Sequence, residues 1–237
     1  MLSLTALILI YSTIIVPDNY KTIQEAVINA SQDDTIIVSE GSYKENISVT
    51  KPISIISSKG PDYTTVRAAV ASEPVFKVSN ADHVKISGFT VTGSTLSGIY
   101  LYNSNNGTIS NNKTVKNGSG IVLYSSSSNV LTGNSADLNE KYGIYIESSH
   151  RNTLGKNSAN SNSDKGIFLS SSNNNNLTDS SVNNNTWNGI ILWDSSNNTI
   201  SNNKVWRNRF GIVISGGGNN TLINNSTWSN IYIVMPL

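Results

Sequence analysis

One four-residue phrase recurs six times, and it limits this chain to very few folds. The copies are Gly98-Ile99-Tyr100-Leu101, Gly120-Ile121-Val122-Leu123, Gly143-Ile144-Tyr145-Ile146, Gly166-Ile167-Phe168-Leu169, Gly189-Ile190-Ile191-Leu192 and Gly211-Ile212-Val213-Ile214. Their glycines lie 22, 23, 23, 23 and 22 residues apart. A fixed period of this length is the signature of a solenoid.

Two weaker pulses keep the same beat. Ile109, Leu131, Leu154, Leu177, Ile200 and Leu222 each follow an Asn-rich stretch, and Thr114, Ala136, Ala159, Val182 and Val205 supply a smaller third position. The pulses alternate apolar with polar residues, which is the period of a strand. Three short strands per 22–23-residue unit make one coil of a parallel β-helix. Coils then stack about 4.8 Å apart, so equivalent residues form columns. The Ile and Leu columns fill the interior, and stability is collective because one coil alone has no dry face. A leucine-rich repeat has an overlapping period, but its outer segments are often helical. Here those segments are Asn, Ser and Gly, which are poor helix formers.

The recurring Gly precedes the strongest strand, where a corner with positive φ is expected. Asn and Ser are expected at the other corners, with Asn amides bonding to turn backbone or to the Asn one coil away.

The 237 residues suffice for one elongated domain. Only 13% are charged and the net charge is +1, which argues against a nucleic-acid partner. The absence of Cys excludes disulfide and thiolate chemistry.

Three sections follow in chain order. Residues 1–16 are almost wholly apolar but lack the basic start and small-residue cleavage site of a secretory signal. They read either as a clipped export signal over the first ten residues or as an opening strand, with Thr13 to Val16 a strand in both cases. The run is too short to span a membrane. Residues 17–97 open with a capping box, Thr22-Ile23-Gln24-Glu25. Ile23, Ala26, Val27 and Ala30 then form the apolar face of a short helix that covers the first coil. Irregular strands follow, with larger loops. Residues 98–237 hold the regular coils of the same domain. Ile231 to Met235 reads as a further strand with Asn230 in place of Gly. No polar cap follows it, so further domains or a partner are expected at that end.

Val16-Pro17, Tyr20-Lys21-Thr22-Ile23-Gln24-Glu25-Ala26-Val27 and Asp34-Thr35-Ile36-Ile37-Val38 resemble the opening of the pectin-lyase-like superfamily. The Gly-Ile-x-Leu and Asn-x-Leu coils resemble NosD-type repeats, also called carbohydrate-binding and sugar-hydrolase (CASH) repeats. The resemblance covers nearly the whole chain after Val16. It implies a right-handed parallel β-helix at a cell surface or outside the cytoplasm. Pectin methylesterases of this superfamily use paired Asp with Arg and Gln, and pectate lyases use clustered Asp for calcium with an Arg base. Neither pattern occurs here. Copper handling of the NosD kind would need Cys, Met or His ligands. With no Cys, two Met, and His83 and His150 isolated, no metal or cofactor is expected.

Among the acids, Glu147 and Asp194 come nearest to a shared position, but two coils apart. That separation is about 10 Å, slightly long for a glycosidase pair. Arg151, beside His150 at a corner, is the third weak catalytic candidate. Solvated surface is the competing reading for all three. The aromatics say more. Strand alternation points Tyr100, Val122, Tyr145, Phe168, Ile191 and Val213 outward, followed two residues on by Tyr102, Tyr124, Glu147, Ser170, Trp193 and Ser215. An apolar outer wall of this kind marks a contact site. Tyr100, Tyr102, Tyr124, Tyr145, Phe168 and Trp193 are therefore candidates for binding a polysaccharide, a surface glycan or a partner, unless the loop from Pro61 to Pro74 covers them. The expected function is a non-catalytic extracytoplasmic scaffold or polysaccharide-binding module. The alternatives are a polysaccharide lyase or hydrolase, or a structural segment of a larger surface-layer protein. Sequons at Asn46, Asn106, Asn112, Asn117, Asn176, Asn184, Asn197, Asn219 and Asn224 follow in part from Asn-rich corners.

Overall fold

The computed structural model describes residues 12–236. The export-signal expectation for the first ten residues lies outside them. From Thr13 onward the chain winds as a parallel β-helix, with each strand bonded to its equivalent in the neighbouring coil. Three walls result. The first is a ten-stranded sheet running from Thr13–Val16 to Thr221–Ile223 and carrying the Asn-x-Leu strands. The third is a nine-stranded sheet from Ile47–Val49 to Tyr232–Pro236 and carries the Gly-Ile-x-Leu strands.

The second wall lies between them. It comprises a four-stranded sheet ending at Lys113–Val115 and a three-stranded sheet starting at Ser181–Asn183. In the two coils between, the wall narrows to single bridges linking Lys113, Ser135, Ser158 and Ser181. The expected three strands per coil are thus reduced to two where Ala136 and Ala159 supply the small apolar position. All five residues of that column, from Thr114 to Val205, are buried.

Register follows the repeat. Ile99, Ile121, Ile144, Ile167, Ile190 and Ile212 pair in succession, as do Ile109, Leu131, Leu154, Leu177, Ile200 and Leu222. The Ile99 column is buried throughout and joins one continuous core. Early coils carry the larger loops: Thr35 pairs with Ser54, but Ser54 pairs with Lys85. The helix spans Ile23–Asn29 with both halves of the capping box formed, and it buries Ile23, Ala26 and Val27. It packs on strands of the first two coils. The Glu45 carboxylate reaches over from the second wall's first corner and accepts the helix's Ile23 and Gln24 N–H groups at 3.0 and 2.9 Å.

Asn and Ser hold the corners as expected, but the recurring Gly does not act as the sequence suggested. Gly98, Gly120, Gly143, Gly166 and Gly189 do not have positive φ. They are needed because there is no room for a side chain. A Cβ on Gly143 would lie 2.7 Å from the carbonyl oxygens of Ala136 and Gly166 and 2.8 Å from the Ala159 Cβ. Left-handed geometry falls instead to four other positions per coil, held mostly by Asn and Ser, for example Ser148, Arg151, Lys156 and Ser161. Asn tolerates this region because its short amide bonds locally.

Each of these left-handed residues is followed by a buried polar one: Ser149, Asn152, Asn157 and Asn162 in the same coil. These form four internal ladders. In one, the N–H groups of Asn117, Asn139, Asn162, Asn185 and Asn208 donate to the Oδ1 of the Asn in the next coil at 2.9–3.1 Å. Their Nδ2 groups return to backbone carbonyls of the coil before, as Asn162 does to Ala136 at 3.1 Å. Buried backbone groups at the corners are thereby satisfied.

Asn230 is the last rung of this ladder, not a substitute for Gly. The final strand starts later than expected, with Tyr232 opposite Phe210 and Val234 opposite Ile212.

Candidate functional site

The outer face of the third wall gathers most of the candidate residues. Tyr100 pairs with Val122, then Tyr145, Phe168, Ile191 and Val213; Tyr102 pairs with Tyr124, then Glu147, Ser170, Trp193 and Ser215. Both expected columns are therefore present. Val122, Ile191 and Val213 face outward yet are buried, whereas Tyr102, Tyr124 and Trp193 are 42%, 38% and 50% exposed, so the wall is open at those rings. Tyr100, Tyr145 and Phe168 are half-buried.

The rings form groups. Tyr102 stacks between Tyr100 at 6.5 Å and Tyr124 at 5.9 Å. Two coils on, Tyr145 and Phe168 stack at 4.9 Å, with Tyr142 against both and the Lys165 ammonium 5.1 Å from the Tyr142 ring. Such pairs stabilise by about 0.5–1.5 kcal/mol beyond their buried area. Trp193 stands apart, three coils from Tyr124 with Glu147 and Ser170 between.

The Pro61–Pro74 segment does not cover this wall, because Thr64–Arg67 within it is a strand of the second wall and only the remainder is loop. Its later part is tied at the corner, where Asn46 Nδ2 donates to the Pro74 carbonyl at 2.9 Å and the Val70 N–H donates to Asn46 Oδ1 at 2.7 Å. The loop instead makes the rim of two shallow clefts of about 370 and 350 Å³. Both are lined by Pro74, Lys77 and Leu96, and the second opens onto Tyr100. Lys77 sits directly before Tyr100 in its column.

The three catalytic candidates do not converge. Glu147 is held by Tyr145, whose hydroxyl donates to Oε2 at 2.7 Å. Burial pushes the Tyr145 phenol up, and the bond to Glu147 pushes it further. Tyr100 is also raised, first by burial and then by its Tyr102, Tyr124 and Glu147 neighbours. Asp194 lies one residue past Trp193, and the Ser170 strand separates it from Glu147. Arg151 is exposed at a left-handed corner, its N–H donating to the Asn173 carbonyl at 3.1 Å. The adjacent His150 serves the corner too, since its Nδ1 accepts the Asn173 N–H at 3.0 Å. Among the described residues there is no group of three or more His, Cys, Asp or Glu placed to hold a metal ion.

Sequence reading missed a third outward column, the residue just ahead of each Gly together with Tyr232, which pairs with the last of them. It holds Ser97, Ser119, Tyr142, Lys165, Asn188, Phe210 and Tyr232. Phe210 stacks on Tyr232 at 4.9 Å and lies parallel to Trp187 at 6.3 Å. The Arg209 guanidinium sits 4.2 Å above the Trp187 ring. The signal was available, because these residues sit at a constant offset from the repeating Gly.

Parallel strands stacked coil upon coil define a β-helix protein. The family described as "Right handed beta helix region" matches residues 75–227, and the chain belongs to it. No curated protein matches the sequence. Solved structures share the fold at low identity. A periplasmic alginate epimerase superposes with a TM-score of 0.73 at 16% identity, covering 91% of this chain and 55% of its own, so the chain spans just over half of it. An alginate lyase from a Paenibacillus species superposes with a TM-score of 0.64 at 16% identity, over 94% of this chain and 98% of its own. The A-module of a mannuronan C-5 epimerase from Azotobacter vinelandii gives 0.62 at 15% identity, over 85% and 70%. At these identities the likeness is one of fold alone.

Proposed function

We propose that this chain is a non-catalytic, extracytoplasmic β-helix that binds polysaccharide on the outer face of its third wall. The observation that carries this reading is the Tyr100–Tyr102–Tyr124 stack, open to solvent and bordered by the Lys77 clefts. Aromatic rings give rigid, amphipathic contact area at low entropic cost, which suits the apolar faces of sugar rings. The resemblance of the coils to NosD-type and CASH repeats, and the polysaccharide-acting names of structural neighbours, one of them periplasmic, support the same reading.

One observation favours an enzyme instead. Glu147 and the Tyr145 hydroxyl form a carboxylate–phenol pair on this wall. Asp194, one residue past Trp193, lies two strands from Glu147, about 10 Å at the spacing of stacked coils, against the about 5–9.5 Å that glycoside hydrolysis needs.

The test is affinity electrophoresis against alginate and neutral β-glucans, with product analysis. Replacing Tyr100, Tyr102 and Tyr124 together by Ser should abolish retention and leave the circular dichroism spectrum unchanged. Undiminished retention would sink the site. Release of new chain ends by the wild type, lost in Glu147→Gln, would replace the binding reading with the enzymatic one.

A further inference from the structure

Apart from Trp193, which stands alone in the Tyr102 column one coil before Phe210, the rings of the third wall do not keep to one column; the stacked groups drift across it. The first stacked pair, Tyr102 and Tyr124, stands in the column nearest the corner that leads to the first wall. The next, Tyr145 and Phe168, has moved two residues upstream into the Tyr100 column, with Tyr142 packed beside it. The last, Phe210 and Tyr232, has reached the opposite edge, in the column just ahead of Gly, with Trp187 parallel to Phe210. From Tyr102 to Tyr232 the track climbs six coils, about 29 Å, and crosses five residue positions, about 16 Å.

The fold does not require this. The rings are not among the core residues, and in other coils the same columns accept Ser119, Ser170 and Asn188. A cation steadies each of the two later groups: Lys165 over Tyr142 and Phe168, and Arg209 over Trp187 and Phe210. Trp187 and Tyr232 are 43% and 48% exposed, so the far end of the track is as open as the near end.

We propose that a single extended, linear polysaccharide crosses the wall obliquely along this track, over a footprint of about 33 Å. This rests on the polysaccharide-binding reading and deepens it. The ligand class is a long unbranched chain, and the three aromatic groups act as successive stations whose contributions multiply. A short oligosaccharide fills one station only.

The experiment uses the whole chain with two ladders of probes, alginate oligomers and cellulose-derived oligomers of about two to ten units, alongside the parent polymers. Affinity should rise with length up to the footprint in at least one ladder. Trp187→Ser with Phe210→Ser should weaken binding of the long polymer about tenfold and leave the shortest bound oligomer unaffected. Tyr102→Ser with Tyr124→Ser should weaken the long polymer similarly. Circular dichroism and urea midpoints confirm that each pair still folds. If the tyrosine pair matters and the Trp187–Phe210 pair does not, or if affinity is flat with length, the oblique track is overturned while the tyrosine site stands. If the wild type binds neither ladder, the polysaccharide reading falls and takes the track with it.

Discussion

The internal Asn ladder makes a quantitative claim that one substitution can test. Asn162 sits on the third of the six rungs from Asn117 to Asn230 and is 1% exposed. Its Oδ1 accepts the Asn139 N–H at 2.9 Å and the Asn139 Nδ2 at 3.2 Å, and its Nδ2 donates to the Ala136 carbonyl at 3.1 Å. Asn162→Ala leaves the Asn139 N–H and the Ala136 carbonyl buried without partners. At about 1–3 kcal/mol for each orphaned group, the expected loss is about 4 kcal/mol. Asn230→Ala removes the same kind of amide at the last rung, where Asn230 is only partly buried. Water replaces it there, and the expected loss is about 1 kcal/mol.

Asn162→Ser supplies an internal control. Ser180 already replaces Asn in a sister ladder and still accepts the Asn157 N–H, at 3.3 Å. The Ser variant should therefore recover about half of the Ala loss. Urea unfolding at neutral pH gives the three values, and amide exchange at Asn139 reports whether the damage is local. A loss for Asn162→Ala below about 1 kcal/mol, or no larger than for Asn230→Ala, would refute the view that the amides complete the corner backbone.

Three further outcomes follow from the packing and the charges. Gly143→Ala should destabilise by about 1–3 kcal/mol, because its Cβ would overlap two carbonyl oxygens and Ala159, whereas Gly60→Ala meets no atom within 4 Å and pays only for its φ of +90°; equal urea midpoints would contradict the close-approach account. Burial alone would raise the Asp34 pKa, but the Ser12 and Ser31 N–H donors and the Lys51 charge hold it below its ordinary value. Its contribution is present above about pH 4 and is lost as pH falls through the lowered pKa, so the stability gap between wild type and Asp34→Asn should close in acid. Tyr145 has the opposite sign: its raised pKa contributes stability that is full below about pH 10 and drains away above it. Tyr145→Phe should flatten that alkaline loss, which a pH series of thermal midpoints would register.

Much of the architecture was legible because a solenoid converts sequence period directly into space. Ile99 to Ile212 and Leu131 to Leu222 could be stacked on paper, and Thr22 and Glu25 announced the cap. What misled was chemistry shared by two causes. A recurrent Gly can mean positive φ or lack of room, and nothing in the sequence separates them; the answer lay in the Ala136 and Gly166 carbonyls of adjacent strands and coils. Asn230 was misread for a related reason. Its neighbours imitate the Gly phrase, but its register is set by the amide of Asn208. On the wall, the Tyr100 and Tyr102 columns were found by alternation. The Phe210 column was not, because the bend at Gly breaks the alternation there. Exposure also escaped prediction, since Val122 and Ile191 point outward but are buried.

The interlocking of each coil with the next also bears on how such a molecule can change in size. Each regular coil from Gly98 onward presents its successor with nearly the same donors, acceptors and apolar sockets, so a duplicated block of 22 or 23 residues, spliced between Gly143 and Gly166, meets matching partners above and below. A single inserted residue meets none, because it shifts the rungs of several ladders at once. Copy number is then the variable that selection can alter freely, and lengthening the molecule lengthens its aromatic face in the same step.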